Sequence, residues 1–379
     1  MKNSLFSPLP STLRATAAAY RRGYEYLQDR MRSLGREGWA QDCDGEIEAS
    51  IKSPAASPLD SERGYLGLLE HLATNGVHKP NRTGVGTFAD VGHMLKFDLR
   101  QGFPAVTTKK LAFGAVKGEL LGFFRGYDNA ADFRALGCKV WDQNANETPS
   151  WVNNPARKGH DDLGRIYGVQ WTKWRDTQVT KTPEDFQRLG NSSKYRLVFG
   201  NPQTGEAVFE REINQLEEAL RALITNPFDR RIIVTGWRPD EIESQALPAC
   251  HTTYQWVAMP DGTLHATMLM RSVDSFLGAP FNIASTSLFL GIMARLCGMT
   301  PGTVTIFTSD THVYENHLDA VKEQLTRTVL PPPQLHLSER IQRVTRVEDI
   351  PGVFARIEPS DISLVGYEHQ GAIKAPMAA

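Results

Sequence analysis

The stretch from residue 250 to residue 298 constrains the fold most, because it predicts a strand pair followed by a helix that must be buried. Strands are predicted over residues 252–258 and 264–270, joined by the turn Pro260-Asp261-Gly262, a favourable hairpin sequence. Residues 283–296 are apolar on nearly every helical face, and Gly298 ends the run. A chain of 379 residues could hold two or three average domains, although single domains of this size that mix helices and strands are common.

The two ends of the predicted hairpin carry residues that can do chemistry. Cys250 precedes the first strand and Arg271 follows the second. A thiol ionises near neutrality when a cation stands close, so Cys250 is a plausible nucleophile with Arg271 as the cation. A lone cysteine is also often a small buried hydrophobe, and that alternative stays open on the residue alone. Asn282 offers both donors and an acceptor to a planar ligand.

Three segments carry a resemblance to a known family. Pro248-Ala249-Cys250-His251, the run from Arg271 to Gly278 and Pro280-Phe281-Asn282-Ile283-Ala284 resemble the active-site segments of the thymidylate synthase family, which includes nucleotide hydroxymethylases. The likeness runs in unbroken order from about residue 60 to the C-terminus. It implies an α+β fold in which a large mixed or antiparallel sheet packs with helices, and it implies a homodimer.

The resemblance also implies the reaction. The thiolate of Cys250 would add to C6 of dUMP, so that C5 accepts the one-carbon unit of the co-substrate 5,10-methylenetetrahydrofolate. Glu119, an isolated carboxylate in an apolar helical stretch, would organise water and protonation at the pyrimidine. Tyr167 would assist proton abstraction at C5. Asn282 would read the uracil edge, and Asp274 would bind the pterin; these five complete the expected catalytic set.

The remaining expected site residues bind the two ligands. The phosphate of dUMP is assigned to Arg271, Ser272 and Arg82, which lies in the loop Asn81 to Thr87. Two further residues are expected to reach the phosphate across the dimer interface, Arg230 of the partner subunit and Arg231 of the partner subunit. The deoxyribose hydroxyl is assigned to His312 and Tyr314. The folate is assigned to Asp274, Trp141 and the C-terminal segment that includes Ala378, which is expected to close over the site and exclude water.

Four departures from the synthase pattern favour a different product. Met270 replaces a glutamine, Gly122 and Asn144 stand where synthases carry tryptophans, and Arg165 replaces a proline. Loss of two large aromatics predicts a roomier, wetter wall near the folate, so that water rather than hydride completes the reaction. The first interpretation is therefore a dUMP hydroxymethylase of the bacteriophage DNA-modification type, with thymidylate synthase, making dTMP and dihydrofolate, as the alternative.

The rest of the chain is expected to support this domain. Residues 1–59 predict an extension with one amphipathic helix around Tyr20 to Leu34 and a linker, and residues 60–379 predict the catalytic domain. Two polar segments, 144–161 and 177–207, predict surface insertions. A further helix is expected from Asp60 or Ser61 to Gly76.

Composition narrows the class of protein. The net charge is −1, which gives no bulk attraction to nucleic acid or to an anionic membrane. The four cysteines form no CxxC pair, which argues against a zinc site and a disulfide scaffold, so no metal and a cytoplasmic location (the host cytoplasm for a phage enzyme) are expected. No apolar run was expected to reach the length of a membrane span.

Two other classes of function fit the sequence less well. A non-catalytic binding protein of the same fold would have lost the nucleophile or the phosphate arginines, and both are present. A hydrolase using Cys250 and His251 is disfavoured, because adjacent residues on a strand point to opposite faces.

Overall fold

The structure is a computed structural model that describes residues 62–81 and 84–377. The predicted N-terminal helix and linker, Arg82 and Ala378 lie outside the described residues.

A six-stranded mixed sheet forms the frame of the described chain, with the strand order β1-β2-β9-β8-β7-β6. Its strands are β1 (Val77–Lys79), β2 (Thr87–Asp98), β6 (Ile233–Thr235), β7 (His251–Ala258), β8 (Thr263–Asp274) and β9 (Thr300–Tyr314). The β8–β9 pair is parallel and the other pairs are antiparallel. The predicted hairpin is confirmed as β7–β8, with Gly262 supplying the left-handed turn conformation at φ 79°. The α+β fold with a large mixed sheet is therefore confirmed.

The helices pack around this sheet. They are α1 (Glu62–Asn75), α2 (Phe113–Phe124), α3 (Ala130–Ala135), α4 (Asp142–Asn146), α5 (Pro149–Val152), α6 (Tyr167–Thr172), α7 (Pro183–Gly190), α8 (Gln215–Thr225), α9 (Gly278–Cys297) and α10 (Leu318–Leu325). The predicted helix ending near Gly76 is α1.

Helix α9 is the central helix that the sequence predicts. It packs against β8, β9 and α2, and it ends at Gly298 in the left-handed conformation. Contrary to the expectation that no apolar stretch would be long enough, α9 has the length and composition of a membrane span. The fold buries 83% of that stretch, so burial inside the domain accounts for its apolar character.

Adjacent rows of side chains on the sheet face opposite sides. One row, joined across the strands by register, is buried and consists of Val234, Tyr254, Met268, Ile306 and Leu95. The next row is Thr235, Thr253, Leu269, Phe307 and Met94, and its three apolar members are 42–47% exposed. The first row is called the inner row and the second the outer row below.

The two predicted insertions are more structured than their polar sequences indicate. Residues 174–213 form a second sheet in the order β3-β5-β4, from β3 (Trp174–Lys181), β4 (Arg196–Asn201) and β5 (Glu206–Ile213). Together with α7 this sheet encloses a small separate core of Leu189, Ala207 and Phe209. The segment 144–161 is not confined to the surface, because Ala145 and Trp151 are buried in the main core.

The C-terminal part adds a two-stranded sheet of β10 (Gln334–Leu337) and β11 (Ile362–Val365). The last described residues return to the main domain. Tyr367 donates a hydrogen bond to the carbonyl of Val106 at 2.7 Å and accepts one from the amide of Leu111 at 2.8 Å. The tail is thereby anchored to the segment that leads into α2.

Candidate active site

Cys250 lies at the start of β7, half-buried, and next to a guanidinium. Arg271 Nη2 lies 3.6 Å from Cys250 Sγ, and the Arg271 amide donates to the Cys250 carbonyl at 3.0 Å. The arginine is held in place because it also donates to the carbonyls of Pro248 and Ala249 at 2.8 and 2.9 Å. A positive charge at this distance favours the thiolate, the form that attacks carbon. The β7–β8 hairpin thus places the nucleophile Cys250 next to the cation Arg271.

Tyr167 forms another wall of the site. Its hydroxyl accepts the Cys250 amide at 2.7 Å, and its ring stacks on Phe123 with centroids 5.1 Å apart. Burial and then the nearby Cys250 raise the pKa of Tyr167 well above its usual value. The tyrosine is therefore neutral at physiological pH and can pass a proton between neighbours without carrying a charge.

Glu119, on α2, is buried near Tyr167, whose pKa its charge also raises. Burial raises its pKa from 4.5 to about 7, and the indole N–H of Trp141 opposes that rise. No hydrogen bond of normal length joins the two groups, since Trp141 Nε1 is buried without a hydrogen-bond partner, so burial dominates. A carboxyl with a pKa near 7 can both give and take a proton at physiological pH.

Asn282 is oriented by a histidine that sequence reasoning did not place in the site. Asn282 Nδ2 lies 2.7 Å from His251 Nε2, and His251 Nδ1 lies 3.2 Å from the hydroxyl of Tyr254. Burial lowers the pKa of His251 from 6.5 to about 4, so the ring is neutral. If Nε2 accepts from the amide, Nδ1 carries the proton and donates to Tyr254. The chain of contacts then fixes which way Asn282 points.

His251 is not paired with the thiol. The only sequence signal for it was its position next to Cys250, which suggested a hydrolase base, and its contacts instead lead to the amide. The hydrolase alternative is therefore not supported by the geometry.

Asp274 lies at the end of β8, where the chain enters α9. Its Oδ1 accepts the amides of Phe276 and Leu277 at 2.9 and 3.1 Å, and His317 Nδ1 lies 3.8 Å from the same oxygen. The described residues make no hydrogen bond to Oδ2, which leaves that oxygen for a ligand. His317 Nε2 lies 2.7 Å from the carbonyl of Pro376. His317 therefore connects the C-terminal tail to the carboxylate.

Lys109 is a second residue that sequence reasoning missed. It is buried, donates a hydrogen bond to the carbonyl of Phe276 and lies 3.5 Å from the centroid of that ring. Burial lowers the pKa of Lys109 to about 8, while the charge of Asp274 opposes the shift. The sequence offered no signal beyond a lysine after two threonines.

The β8–β9 register places the expected ribose-binding residues beside Asp274. Ser272 pairs with Asp310 and Asp274 pairs with His312 across the parallel strands. His312 Nδ1 lies 3.1 Å from Asp310 Oδ1, and the His312 ring packs edge to face with Tyr314 at 5.2 Å. Because Cys250 immediately precedes β7 and Arg271 lies on the neighbouring β8, one end of the sheet gathers most of the predicted site.

Arg230 and Arg231 lie in the turn before β6 rather than on the strand. Both are exposed, and Arg231 makes two hydrogen bonds to Asp229 at 2.8 and 2.9 Å. The two arginines are therefore not bound by the rule that adjacent strand residues face opposite ways, because β6 begins only at Ile233.

The predicted roomier wall is wrong at Gly122. A Cβ placed on Gly122 would lie 2.3 Å from Cε1 of Phe133, so an aromatic ring from α3 already fills that space. Phe133 is fully buried and contacts Phe123 and Trp141. Of the other departures, Arg165 pairs with Glu241 at 2.6 Å and Met270 is buried in β8. The aromatic wall is rearranged at this point rather than lost.

The site combines a thiol beside a guanidinium, a carboxyl with a pKa near 7 and an oriented amide at one end of a mixed sheet. These features define a class of enzyme that transfers a group by covalent cysteine catalysis. The comparisons agree with that class. The family model described as thymidylate synthase matches residues 63–379. The chain belongs to the thymidylate synthase family, whose members are one-carbon transferases.

Individual relatives give the same result. The thymidylate synthase of Pseudomonas syringae pv. tomato is 44% identical over 319 residues, covering 83% of this chain and 99% of the relative. That of Pseudomonas putida is 42% identical over 319 residues with the same coverage. That of Bordetella parapertussis is 44% identical over 321 residues, covering 83% and 99%.

Proposed function

We propose that this protein is a thymidylate synthase, which converts dUMP to dTMP with 5,10-methylenetetrahydrofolate as donor of both the carbon and the hydride. The observation that carries the proposal is the contact between Cys250 Sγ and Arg271, beside Tyr167, whose pKa both Cys250 and Glu119 raise. The relatives named thymidylate synthase support it, and so does the filled space at Gly122. The hydroxymethylase interpretation thereby loses its structural argument at Gly122.

In the proposed reaction Cys250 forms a bond to C6 of the uracil ring. The electrons of the C5–C6 double bond move to form an enolate, which makes C5 a nucleophile. Asn282, oriented by His251, donates to O4 and accepts from N3–H, and Glu119 supplies or takes the proton at the O4 side. The co-substrate, when bound, supplies an electrophilic one-carbon unit and later a hydride.

Tyr167 then helps to remove the C5 proton, and the bond between C6 and Cys250 breaks as the product forms. The neutral state of Tyr167 suits a group that relays a proton beside the thiol. Asp274 Oδ2 is proposed to bind the pterin, with Trp141 on the aromatic wall. The tail to which Ala378 belongs is proposed to cover the folate, consistent with the contact between His317 and Pro376.

Phosphate recognition is proposed for Arg271, Ser272 and Arg82 with Arg230 of the partner subunit and Arg231 of the partner subunit. Guanidinium groups suit a phosphate because their planar N–H donors match its oxygens. His312 and Tyr314 are proposed to bind the deoxyribose hydroxyl. We also propose that the enzyme acts on free nucleotides in the cytoplasm, without a nucleic-acid or membrane partner.

The product assay tests the central proposal. The full-length enzyme is incubated with dUMP and methylenetetrahydrofolate, and the nucleotide product is weighed by mass spectrometry while dihydrofolate is measured. The proposal expects a methyl product and one dihydrofolate per turnover. A hydroxymethyl product without dihydrofolate would overturn it in favour of the hydroxymethylase.

Cysteine variants test the nucleophile. Cys250→Ala is expected to abolish turnover. Cys138→Ala and Cys297→Ala are the matched controls, because burial raises the pKa of each of those thiols to about 12 and keeps them protonated. Retained turnover in Cys250→Ala would remove the covalent mechanism. Asn282→Asp is expected to shift preference from dUMP toward dCMP.

The proposed dimer can be tested by mixing two inactive variants. If Arg230 acts in the partner's site, a mixture of Cys250→Ala and Arg230→Ala chains forms hybrid dimers with one intact site. Equal random mixing then restores roughly a quarter of wild-type activity, since half of the dimers are hybrids with one of two sites intact. If Arg230 acted within its own chain, the mixture would stay inactive.

A further inference from the structure

A cluster of three metal-ligating side chains lies on helix α1 and strand β2 and takes no part in the proposed mechanism. It consists of His71, Asp90 and His93, whose ligand atoms all lie within 4.8 Å of one another. His71 Nε2 is 2.6 Å and His93 Nε2 is 3.1 Å from the same oxygen, Asp90 Oδ2. The two imidazole rings meet edge to face with centroids 5.4 Å apart.

The backbone of β2 builds the cluster through one glycine. In a regular strand residues three apart point to opposite faces, so Asp90 and His93 could not share a ligand. Gly92 adopts a left-handed conformation with φ 81°, which residues with a side chain rarely adopt, while the pairing with β9 keeps its register from Val91–Asp310 to His93–Thr308, so the departure from regular strand geometry is local. At this local irregularity Asp90 and His93 both contact His71 on the packed helix.

The remaining atoms of these side chains are held as metal ligands usually are. Asp90 Oδ1 accepts the Val91 amide at 2.8 Å, which fixes the carboxylate and aims Oδ2 at both rings. The side-chain amide of Asn75 lies 3.5 Å from His71 Nδ1, the nitrogen opposite the shared oxygen. A metal ion bound at Nε2 leaves the proton of His71 on Nδ1, so Asn75 would present its amide oxygen, in the flipped orientation, to accept that proton.

We propose that His71, Asp90 and His93 form a binding site for a divalent transition-metal ion, with Zn²⁺ as the best match. Two imidazoles and one carboxylate are a ligand set that Zn²⁺ takes, with water in the remaining position. The side chains of His71, His93 and Asp90 are 41%, 23% and 42% exposed, so an ion can enter and keep a water ligand. The bound ion ties α1 to β2 and stabilises the fold. The cysteine spacing argues only against a zinc site built from cysteines, and this cluster contains none.

The same fold provides a comparison within the chain. His78 pairs with Glu315, and like His71 it is an exposed histidine next to a carboxylate. Among the described residues no third His, Cys, Asp or Glu completes a cluster there. His78→Asn is therefore a matched control that removes an exposed histidine–carboxylate pair without touching the proposed site.

The test titrates tag-free, full-length protein with Zn²⁺ by calorimetry and with Co²⁺ by visible absorption, and it records thermal unfolding with and without each ion. The proposal expects one ion per chain, a tetrahedral cobalt spectrum without a thiolate band, and a rise in unfolding temperature. In His71→Asn, Asp90→Asn and His93→Asn the dissociation constant rises at least about tenfold, the least that even an outer-shell partner contributes. In His78→Asn it is unchanged.

Three results would overturn the proposal. One is the absence of binding to the wild-type protein. Another is binding that survives all three substitutions, which would place the ion elsewhere. The last is a thiolate-to-cobalt band, which would place it at a cysteine. Since Asp90→Asn keeps the size of the side chain and the variants are compared by their unfolding curves without metal, a folding defect is recognised separately from lost binding.

Discussion

The inner and outer rows of the six-stranded sheet lie one residue apart on the same strands, yet their surroundings are opposite. Val234, Tyr254, Met268, Ile306 and Leu95 are at most 3% exposed, whereas Leu269, Phe307 and Met94 are 42–47% exposed. The inner row packs toward helix α9 and its aromatic neighbours. The outer row presents a contiguous apolar strip to solvent in the single chain.

The difference teaches that one face of the sheet packs against the helices of its own chain, whereas the other leaves apolar side chains exposed in the single chain. Apolar strips of this kind on a broad sheet face mark interaction surfaces. Ile233 and Val257 extend the strip and are 44% and 41% exposed. We infer that a second copy of the chain covers this face, which agrees with the expected donation of Arg230 and Arg231 from the neighbouring turn.

The largest expected effect comes from placing a charge on the outer row. Phe307→Asp buries a carboxylate in the proposed interface, so the dimer should dissociate and the site should lose both arginines of the partner. Loss of a desolvated charge contact costs about 2–5 kcal/mol, so kcat/KM should fall by roughly thirtyfold to several thousandfold. Sedimentation and steady-state kinetics measure the two effects. A fully active dimeric variant would refute the assignment of this face.

The next effect concerns the helix that covers the inner row. Phe289 is fully buried in α9, with ring centroids of Phe124, Trp171, Tyr254 and Trp256 at 4.7–5.7 Å. Phe289→Ala should lower the free energy of unfolding by about 3–5 kcal/mol through the cavity that it leaves. Urea unfolding measures this. Phe228→Ala, at a residue 45% exposed, is the control and should cost little.

The third effect is a dependence of the free energy of unfolding on pH. It comes from the inner side of the sheet, which holds buried ionisable groups, because the outer row holds none. Glu119 has a pKa of about 7 instead of 4.5, so between these values the folded state keeps a proton that the unfolded state releases. Its contribution to stability therefore falls as pH rises through that window. His251 has a pKa of about 4 instead of 6.5, and its contribution rises with pH from 4 to 6.5. The two trends largely cancel.

Replacing either Glu119 or His251 should expose the pH dependence that the other one contributes to stability. The difference in unfolding free energy between Glu119→Gln and the wild type should change by about 3 kcal/mol between pH 7 and pH 4.5, the variant being relatively less stable at the lower pH. His251→Asn should give the opposite sign. Urea unfolding at a series of pH values measures both, and parallel curves for variant and wild type would contradict the assigned burial effects.

The smallest effect is expected in the separate three-stranded sheet. Val179 is an apolar residue that is 66% exposed, but it lies on β3 and outside the outer row. Val179→Asp should change neither the oligomeric state nor kcat/KM, and stability should shift by no more than about 0.5 kcal/mol. Dissociation of this variant would show that the interface lies on the small sheet instead.

The sequence predicts those parts of the molecule whose signal is local. The β7–β8 hairpin has a turn sequence between two apolar stretches, and α9 has an unbroken apolar pattern, so both were predicted, and with them the closeness of Cys250 and Arg271. The sheet of β3, β4 and β5 was not predicted because its segment is rich in polar residues and its apolar residues include the consecutive run Leu197-Val198-Phe199 in β4. It therefore lacks the alternating pattern that identifies a strand.

Long-range packing explains the remaining differences. The ring of Phe133 occupies the space beside Gly122, and no local pattern connects a residue of α3 with one of α2. The contact of His251 with Asn282 likewise depends on how β7 faces α9. For the same reason the sequence indicated a nucleophile and an amide without showing what orients the amide.

The pairing of β2 with β9 joins segments about 200 residues apart in the chain. During synthesis β2 emerges early with only the short β1 beside it, and its long partner β9 is made about 200 residues later. Folding of the frame is therefore expected to be slow and late. A nascent chain stopped before β9 would expose an unpaired strand, which makes such fragments prone to aggregation and dependent on chaperones.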